Sequence, residues 1–553
     1  MSLRNRTLYV NVALAGLLLL LVTAILILSC VPPVSKDALV HHLAVPKLYL
    51  KHGGIYEIPF MPFSYYPMNL DLLYLIPLYF GNDIAPKFIH FGFALLTAWL
   101  IFKYLGRRTG IEYALGGGLF FLSIPIIVKL SITVYVDLGL IFFSTASLLL
   151  VLKWVELDFP PKYLLLSAIS CGLAAGTKYN GLIVLFLLKF FVPFLYSRYT
   201  RSSNPSFSRS AFQGVIFLGV ALLVFSPWMI KNYLWTNNPI YPLYDHWFNP
   251  QGGAGGSINV FAFRASVYGE TWWQMALLPV RIFFQGRDGN PQYFDGKLNP
   301  FLFLLPFFVF VGIRKESRML VREIKILALF SALYFAFAFF STDLRVRYIL
   351  PIIPALIILS VLGVKNMYET LRGIHSSNLQ KCGRGVLLGA LCLLLGLNAH
   401  YVLNQFRYVK PFDYLCGLIT RDEYIEKYRF EYPVIRYINE KLPQSSLILF
   451  IFVGKRGYYC NRPYVLDMGR NGSSIQLIVK KATNSEEVLS AFQKRGITHL
   501  LIRYDIFDKW KRDEYIFTDR EMRILDDFMR KYTRLLFYKW GYGISKLQEH
   551  AFS

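Results

Sequence analysis

The sequence predicts a polytopic α-helical membrane protein that carries a small α/β domain at its C-terminal end. Three observations predict it. Hydrophobic residues make up 55% of the 553 and charged ones only 17%, a balance outside that of a water-soluble globule. Apolar runs close to the roughly 20 residues that a bilayer requires recur from the N-terminus to about residue 400. From Asn404 the composition becomes mixed, so a transmembrane domain is expected over 1–403 and a soluble domain over 404–553.

The first run, 8–31, follows the basic cluster MSLRNR. It lacks a small-residue cleavage site and is long enough to span, so it reads as a retained helix with its N-terminus in the cytoplasm. The loop that follows, 32–86, contains MNLDLLYLIPLYFG at 68–81, which is apolar yet too short to cross and is expected to lie along the interface. The second span, 88–105, ends in Gly106, Arg107 and Arg108; the positive-inside rule puts these arginines in the cytoplasm if the short helix is interfacial. The runs 113–130, 134–154, 163–175, 182–196 and 211–228 then alternate outward and inward. A long external segment, 231–299, holds the aromatic-rich WTNNPIYPLYDHWF and the glycine-rich QGGAGG, which its composition marks as mobile. The runs 300–313, 324–340, 348–364 and 386–401 complete about eleven spans and leave the C-terminal domain exported. In that domain YPVIRYINEKL and EEVLSAFQKRG read as helices, and SLILFIFV and THLLIRYDIF as strands.

The formal net charge is +25, but the basic residues are divided among short loops between apolar runs. Topology accounts for the excess, and no nucleic-acid partner is expected. The six cysteines show neither CxxC nor zinc-type spacing; free thiols are expected, with Cys416 and Cys460 the pair that an oxidising compartment could join.

On this topology the unusual charges converge on the outer face. Asp37 follows the first span in PPVSKDALVHHL, Asp137 opens the fourth, Lys178 sits at the exit of the fifth, and Arg345 and Arg347 precede the tenth. A carboxylate just past a span is costly unless something uses it. Two carboxylates near three cations suit a transfer reaction on a lipid phosphate, in which a base takes the acceptor's proton and cations stabilise the departing phosphate. The bland alternatives are helix capping for the acids and headgroup snorkelling for the cations. If Ser35 caps a short helix, Asp37 lies in its first turn, where the helix dipole favours the carboxylate. His41 would then share its face, and His42 would point about 100° further round. Adjacent histidines that diverge make a poor metal site, so no cofactor is expected, with a divalent metal at this cluster as the alternative.

The order of these features resembles the GT-C class of membrane glycosyltransferases, in particular the branch with the protein O-mannosyltransferases and the lipid A aminoarabinose transferases. The stretches that carry the resemblance are SKDALVHHL, TVYVDLGL, GLAAGTKYNG, SPWMIKNYLWTNNPIYP and VRYILPIIPAL, in order over roughly the first 360 residues. The resemblance implies inverting transfer of a sugar from a polyprenyl-phosphate carrier to a glycan, lipid or protein acceptor on the outer face of the membrane, in bacteria the inner membrane. By it, Asp37 is the general base, or at least the carboxylate that orients the acceptor, and Asp137 is a second acid in the same cavity. Arg347 and Tyr348 contact the carrier phosphate, with Lys178, Arg345, His42 and Tyr66 as further substrate contacts. The chain departs from the pattern twice. Ala38 follows Asp37 where many relatives have a second acid, whose role would fall to Asp137 or Glu57. Tyr66-Pro67 stands where aminoarabinose transferases have Lys-Pro, which leaves phosphate neutralisation to the arginines. The competing reading is a transporter or flippase of lipid-linked sugars. Charges gathered at one face and the lack of an internal repeat favour an enzyme.

Overall fold

The computed structural model describes residues 3–200, 206–250, 259–469, 472–513 and 516–548. The glycine-rich stretch 251–256 lies outside the described residues. The chain forms two compact units, one made of Met1–Cys30, Pro67–Leu73 and Ala85–Pro411, the other of Val31–Tyr66, Tyr74–Ile84 and Phe412–Ser553.

The first unit is helical. Eight described helices are long and apolar enough to cross a membrane: Thr7–Ser29, Ala85–Arg108, Asp137–Glu156, Gly181–Tyr199, Phe207–Thr236, Arg318–Ser341, Leu350–Arg372 and Ser377–Val409. These coincide with eight of the eleven expected spans. The other three are helical but differ in kind. The run 113–130 is two helices, Ile111–Ser123 and Pro125–Ser131, bent by 67°. Pro125 is the cause, because it pushes Ile124 out of helical geometry to ψ 131. The run 163–175 is the 17-residue helix Pro161–Thr177. The run 300–313 is a short helix, Phe301–Leu304, that continues as a 3-10 turn around Pro306. By length and composition the described residues thus hold eight candidate crossings, or nine with the bent pair, against about eleven expected.

Polar groups and small residues tie these helices together. Ser147 and Ser167 exchange hydrogen bonds between Asp137–Glu156 and Pro161–Thr177, their hydroxyls 3.0 Å apart. A Cβ on Gly172 would lie 2.5 Å from the Ala221 carbonyl oxygen, so this crossing requires glycine. Arg108, expected on the cytoplasmic side, donates to both oxygens of Glu323 and to Glu156, while the Tyr104 hydroxyl donates to Glu323 at 2.8 Å. One guanidinium thus clamps three helices.

The second unit contains a mixed sheet of five strands, β1 (Ile448–Ile451), β2 (Tyr464–Leu466), β3 (His499–Arg503), β4 (Thr533–Lys539) and β5 (Tyr542–Leu547), in the order β2-β1-β3-β5-β4. Strand β1 runs parallel to β2 and β3, and β5 runs antiparallel to β3 and β4. Helices Ser485–Gln493 and Asp519–Tyr532 pack on it through Val488, Phe492, Leu525 and Phe528. The expected strands and helices of this domain are present, except that the strand expected over THLLIRYDIF ends at Arg503 and its last four residues open the helix Tyr504–Lys511. Its extent differs from 404–553. Helix Ser377–Val409 runs through to the left-handed Lys410 and Pro411, which end it. Residues 31–66 and 74–84 also belong to this unit, because they hydrogen-bond to the C-terminal segment: Tyr458 N–H donates to the Leu39 carbonyl at 3.2 Å, and the Tyr459 hydroxyl to the Pro33 carbonyl at 2.8 Å. The described cysteines are free, Cys416 exposed and Cys460 buried.

Candidate active site

The candidate residues divide between the units. In the first unit, helix Asp137–Glu156 starts at Asp137, whose side chain is fully buried. Its Oδ1 accepts from Lys178 Nζ at 2.6 Å, and its Oδ2 makes no hydrogen bond among the described residues. His90, buried on helix Ala85–Arg108, fixes this helix start. Its Nε2 accepts the Leu138 N–H at 3.0 Å, so the ring proton lies on Nδ1, which faces the Leu130 and Thr133 carbonyls.

Lys178 leaves helix Pro161–Thr177 in extended conformation. The glycines on either side of it permit that turn. A Cβ on Gly176 would meet Asn69 Nδ2 at 2.4 Å, and one on Gly181 would meet the Ala174 backbone at 2.4 Å. The stretch SPWMIKNYLWTNNPIYP anchors the same turn. Trp228 Nε1 donates to Asn69 Oδ1 at 2.8 Å, while Asn232 donates to the Tyr179 hydroxyl, which donates to the Tyr241 carbonyl. These residues act by positioning Lys178.

The run 345–348 brings the remaining cations to Lys178, whose Nζ is 5.8 Å from the Tyr348 ring. The Tyr334 hydroxyl donates to the Tyr348 carbonyl. Arg347 lies over the Tyr135 ring at 5.1 Å. Arg345 and Arg347 stand 3.9 and 4.0 Å from Asp295 Oδ2, beyond hydrogen-bond range, and Arg345 Nε also donates to Asp343 at 2.7 Å. Lys129 joins the set, 3.1 Å from Asp288 and 3.6 Å from Asp295. Asp137, Lys178, Arg345, Arg347 and Tyr348 therefore belong to one network. Sequence reasoning missed His90 and Lys129, which lie inside the expected spans 88–105 and 113–130, and Asp288 and Asp295, which sit in a polar loop.

In the second unit, Asp37 is half-buried and stands at the N-cap of a π-helix, Ala38–His42. The helix expected to begin at Ser35 does begin there, with the Leu39 N–H on the Ser35 carbonyl at 3.2 Å, and then widens into a π turn closed by the Leu43 N–H on the Ala38 carbonyl at 2.9 Å. Pro46 supplies the reason: it has no N–H for the His42 carbonyl, and its ring crowds that oxygen. The histidines do not diverge. Their rings lie 3.9 Å apart, His41 stacks on Phe63 at 4.5 Å, and Phe63 meets Tyr66 edge-on at 5.6 Å. His42 is buried, and Tyr66 half-buried. The Tyr65 hydroxyl donates to Glu57 at 2.6 Å. Among the described residues no group of three His, Cys, Asp or Glu is placed to hold a metal ion.

C-terminal residues hold this turn. Arg429 Nε donates to the Val34 carbonyl, and Lys47 Nζ donates to the Tyr458 carbonyl at 2.6 Å and to Asn461 at 2.9 Å. Burial, then repulsion from Lys51, lowers Lys47 to about 8. Burial and Lys36 lower Lys455.

The crystal structure of ArnT from Cupriavidus metallidurans is 15% identical and matches with a TM-score of 0.59 over 99% of this chain and 98% of that chain. The fold is that of the GT-C membrane glycosyltransferases. The same enzyme bound to undecaprenyl phosphate matches at 15% identity over 97% of each chain, with a TM-score of 0.57. The oligosaccharyltransferase of Archaeoglobus fulgidus is 12% identical, with a TM-score of 0.52 over 94% of this chain and 73% of that one. The family model described as dolichyl-phosphate-mannose-protein mannosyltransferase matches residues 79–230 of this chain. That range contains Asp137 and Lys178. No curated protein matches the sequence.

Proposed function

We propose that this protein is an inverting glycosyltransferase that moves a hexose or pentose from a polyprenyl-phosphate carrier to a glycan, lipid or protein acceptor at the outer face of a bacterial inner membrane. In this reading the N-terminus is cytoplasmic and the C-terminal domain exported. The observation that carries it is the fold likeness to ArnT over nearly the whole of both chains, one of whose structures holds undecaprenyl phosphate.

Asp37 is the general base that takes the acceptor's proton as the acceptor oxygen bonds to the anomeric carbon. The bond to the phosphate oxygen breaks with its electron pair, and the carrier phosphate leaves as an anion. Arg345 and Arg347 stabilise that anion. Their contacts to Asp295 are longer than hydrogen bonds, so a phosphate that offers bidentate bonds outcompetes them. Asp137 serves by holding Lys178, and Tyr348, Tyr66 and His42 line the substrate path. The membrane supplies the carrier lipid as a neighbour in the bilayer.

Asp37→Asn is expected to abolish transfer from a polyprenyl-phosphate sugar while the protein stays folded in the membrane. Full transfer by that variant would end the reading. Arg347→Ala is expected to raise the donor KM more than the acceptor KM, and equal effects would remove Arg347 from the phosphate. Product accumulation without turnover of the carrier bond, followed by mass spectrometry of envelope glycans and lipids, would favour the transporter instead.

A further inference from the structure

Helix Asp519–Tyr532 of the second unit presents one face that does not serve the core. Arg520, Arg523 and Arg530 lie on it with Asp527, since offsets of three, seven and ten residues return to one side of an α-helix. With Asn484 and Ser485 they line a groove of about 590 Å³. All three arginines are exposed, the Arg530 side chain to 79%.

The acids in this groove are already committed. Asp527 accepts from the Ser485 hydroxyl at 2.7 Å and pairs with Arg530 at 3.1 Å and Lys531 at 2.9 Å. Asp526 is held by Lys511 at 2.5 Å. Arg523 makes no hydrogen bond or ion pair among the described residues, and Arg520 only faces Glu487 through space. The groove therefore offers guanidinium groups over about 15 Å of helix, a spacing that matches repeated anionic groups rather than one small ion. Its apolar floor is Ile524 alone, itself buried. No aromatic ring lines it for base stacking, and no exposed apolar side chain lines it for insertion into lipid.

We infer that this groove binds an anionic glycan whose carboxylate or phosphate groups repeat along its length. Bidentate guanidinium contacts give the affinity, and the polar side chains of Asn484 and Ser485 beside them suit a hydroxyl-rich sugar backbone. The inference goes beyond the proposed transfer reaction, since binding here requires neither the carrier nor Asp37.

The test uses the full chain in nanodiscs of zwitterionic phosphatidylcholine, titrated with fluorescent oligogalacturonate, a phosphorylated oligomannose and neutral dextran. Binding of at least one anionic oligomer is expected, weakening as salt rises, and which one binds identifies the anionic group. Dextran should not bind. The triple variant R520Q/R523Q/R530Q should bind roughly tenfold more weakly or worse with an unchanged melting temperature, and Asp37→Asn should bind normally. If the triple variant loses its fold, Arg523→Gln alone serves, because that side chain makes no hydrogen bond or ion pair among the described residues. Equal affinity of the arginine variant, equal binding of dextran, or binding seen only with anionic lipid in the nanodisc would overturn the proposal.

Discussion

Asp137 and Lys178 are a buried carboxylate and the cation that neutralises it, and the two are unequal under mutation. Lys178→Met strands a fully buried carboxylate and is expected to destabilise the protein by about 3–5 kcal/mol. The double variant Asp137→Asn/Lys178→Met removes both charges and should recover much of that loss without recovering activity. Thermal melting in detergent reads the first effect and a transfer assay the second; a double variant no more stable than Lys178→Met would mean that the pair does not act as a unit. These two residues, like Asp37, Arg345 and Arg347, were legible in the sequence because a charge beside long apolar runs stands out. Lys129, Asp288, Asp295 and His90 were not. His90 lies inside the expected span 88–105 and Lys129 at the end of 113–130, where a lysine reads as one that reaches for headgroups; Asp288 and Asp295 lie in a polar loop, and only folding brings 286–297 to 345–347, through the Val346 N–H on the Phe294 carbonyl at 2.9 Å.

Two short elements turn these residues into a geometry. In the GTKYNG turn, Gly181→Ala meets backbone, which cannot rotate away, whereas Gly176→Ala meets the Asn69 side chain. The first should cost about 1–3 kcal/mol and the second less, as judged by melting of the two variants; the reverse order would count against the turn as drawn. In the Asp37 turn, Pro46→Ala restores a donor for the His42 carbonyl and draws the π-helix towards an α-helix. Transfer activity should fall with little change in stability, and an unchanged kcat would show that the wider turn is incidental. Elements also differed in how well the sequence declared them. Composition and period revealed the helices and the β1 and β3 strands, while the π-helix depends on a proline four residues past its last carbonyl, a signal that apolar periodicity does not carry. The sheet sets a pH response of its own. Burial, then Lys546 opposite, lowers His499 to about 4, so its contribution is present above pH 6.5 and is lost as pH falls towards 4. Burial raises Asp467 to about 6, despite its bonds from Ser473 and Ile475, so its contribution grows as pH falls from 6 to 3.8. Hydrogen exchange of the sheet amides should show His499→Asn blunting the acid loss and Asp467→Asn steepening it.

At the scale of the whole molecule, the chain builds its second unit from pieces about 400 residues apart, and this could not be read from the sequence. Composition showed where apolar runs stop at residue 404, but not that the loop after the first helix folds with the C-terminal segment. The bonds that do this run mostly from side chains to backbone carbonyls, such as Arg429 to Val34, Tyr459 to Pro33 and Lys47 to Tyr458, and leave no periodic trace. They carry a consequence for the proposed reaction. Asp37 is set by a turn whose flanking carbonyls are satisfied from residues 429–461, so the C-terminal segment serves the proposed catalytic base and is more than an appended domain. A chain ended at Pro411 keeps all eight membrane-length helices found among the described residues and is expected to insert into the membrane. Without Arg429, Tyr458 and Tyr459, however, the backbone at 33–39 loses its partners, and the loop should open. Limited trypsin digestion of the truncated protein should then cut faster at Lys47 and Lys51, whose ammonium groups the full chain ties to Tyr458 and Asn461, and transfer should be lost with KM unmeasurable. Co-expression of residues 412–553 as a separate chain should restore both protection and some activity, since the missing bonds need no covalent link. A truncated protein that transfers sugar normally, or whose loop resists trypsin as the full chain does, would show that the turn holds Asp37 unaided.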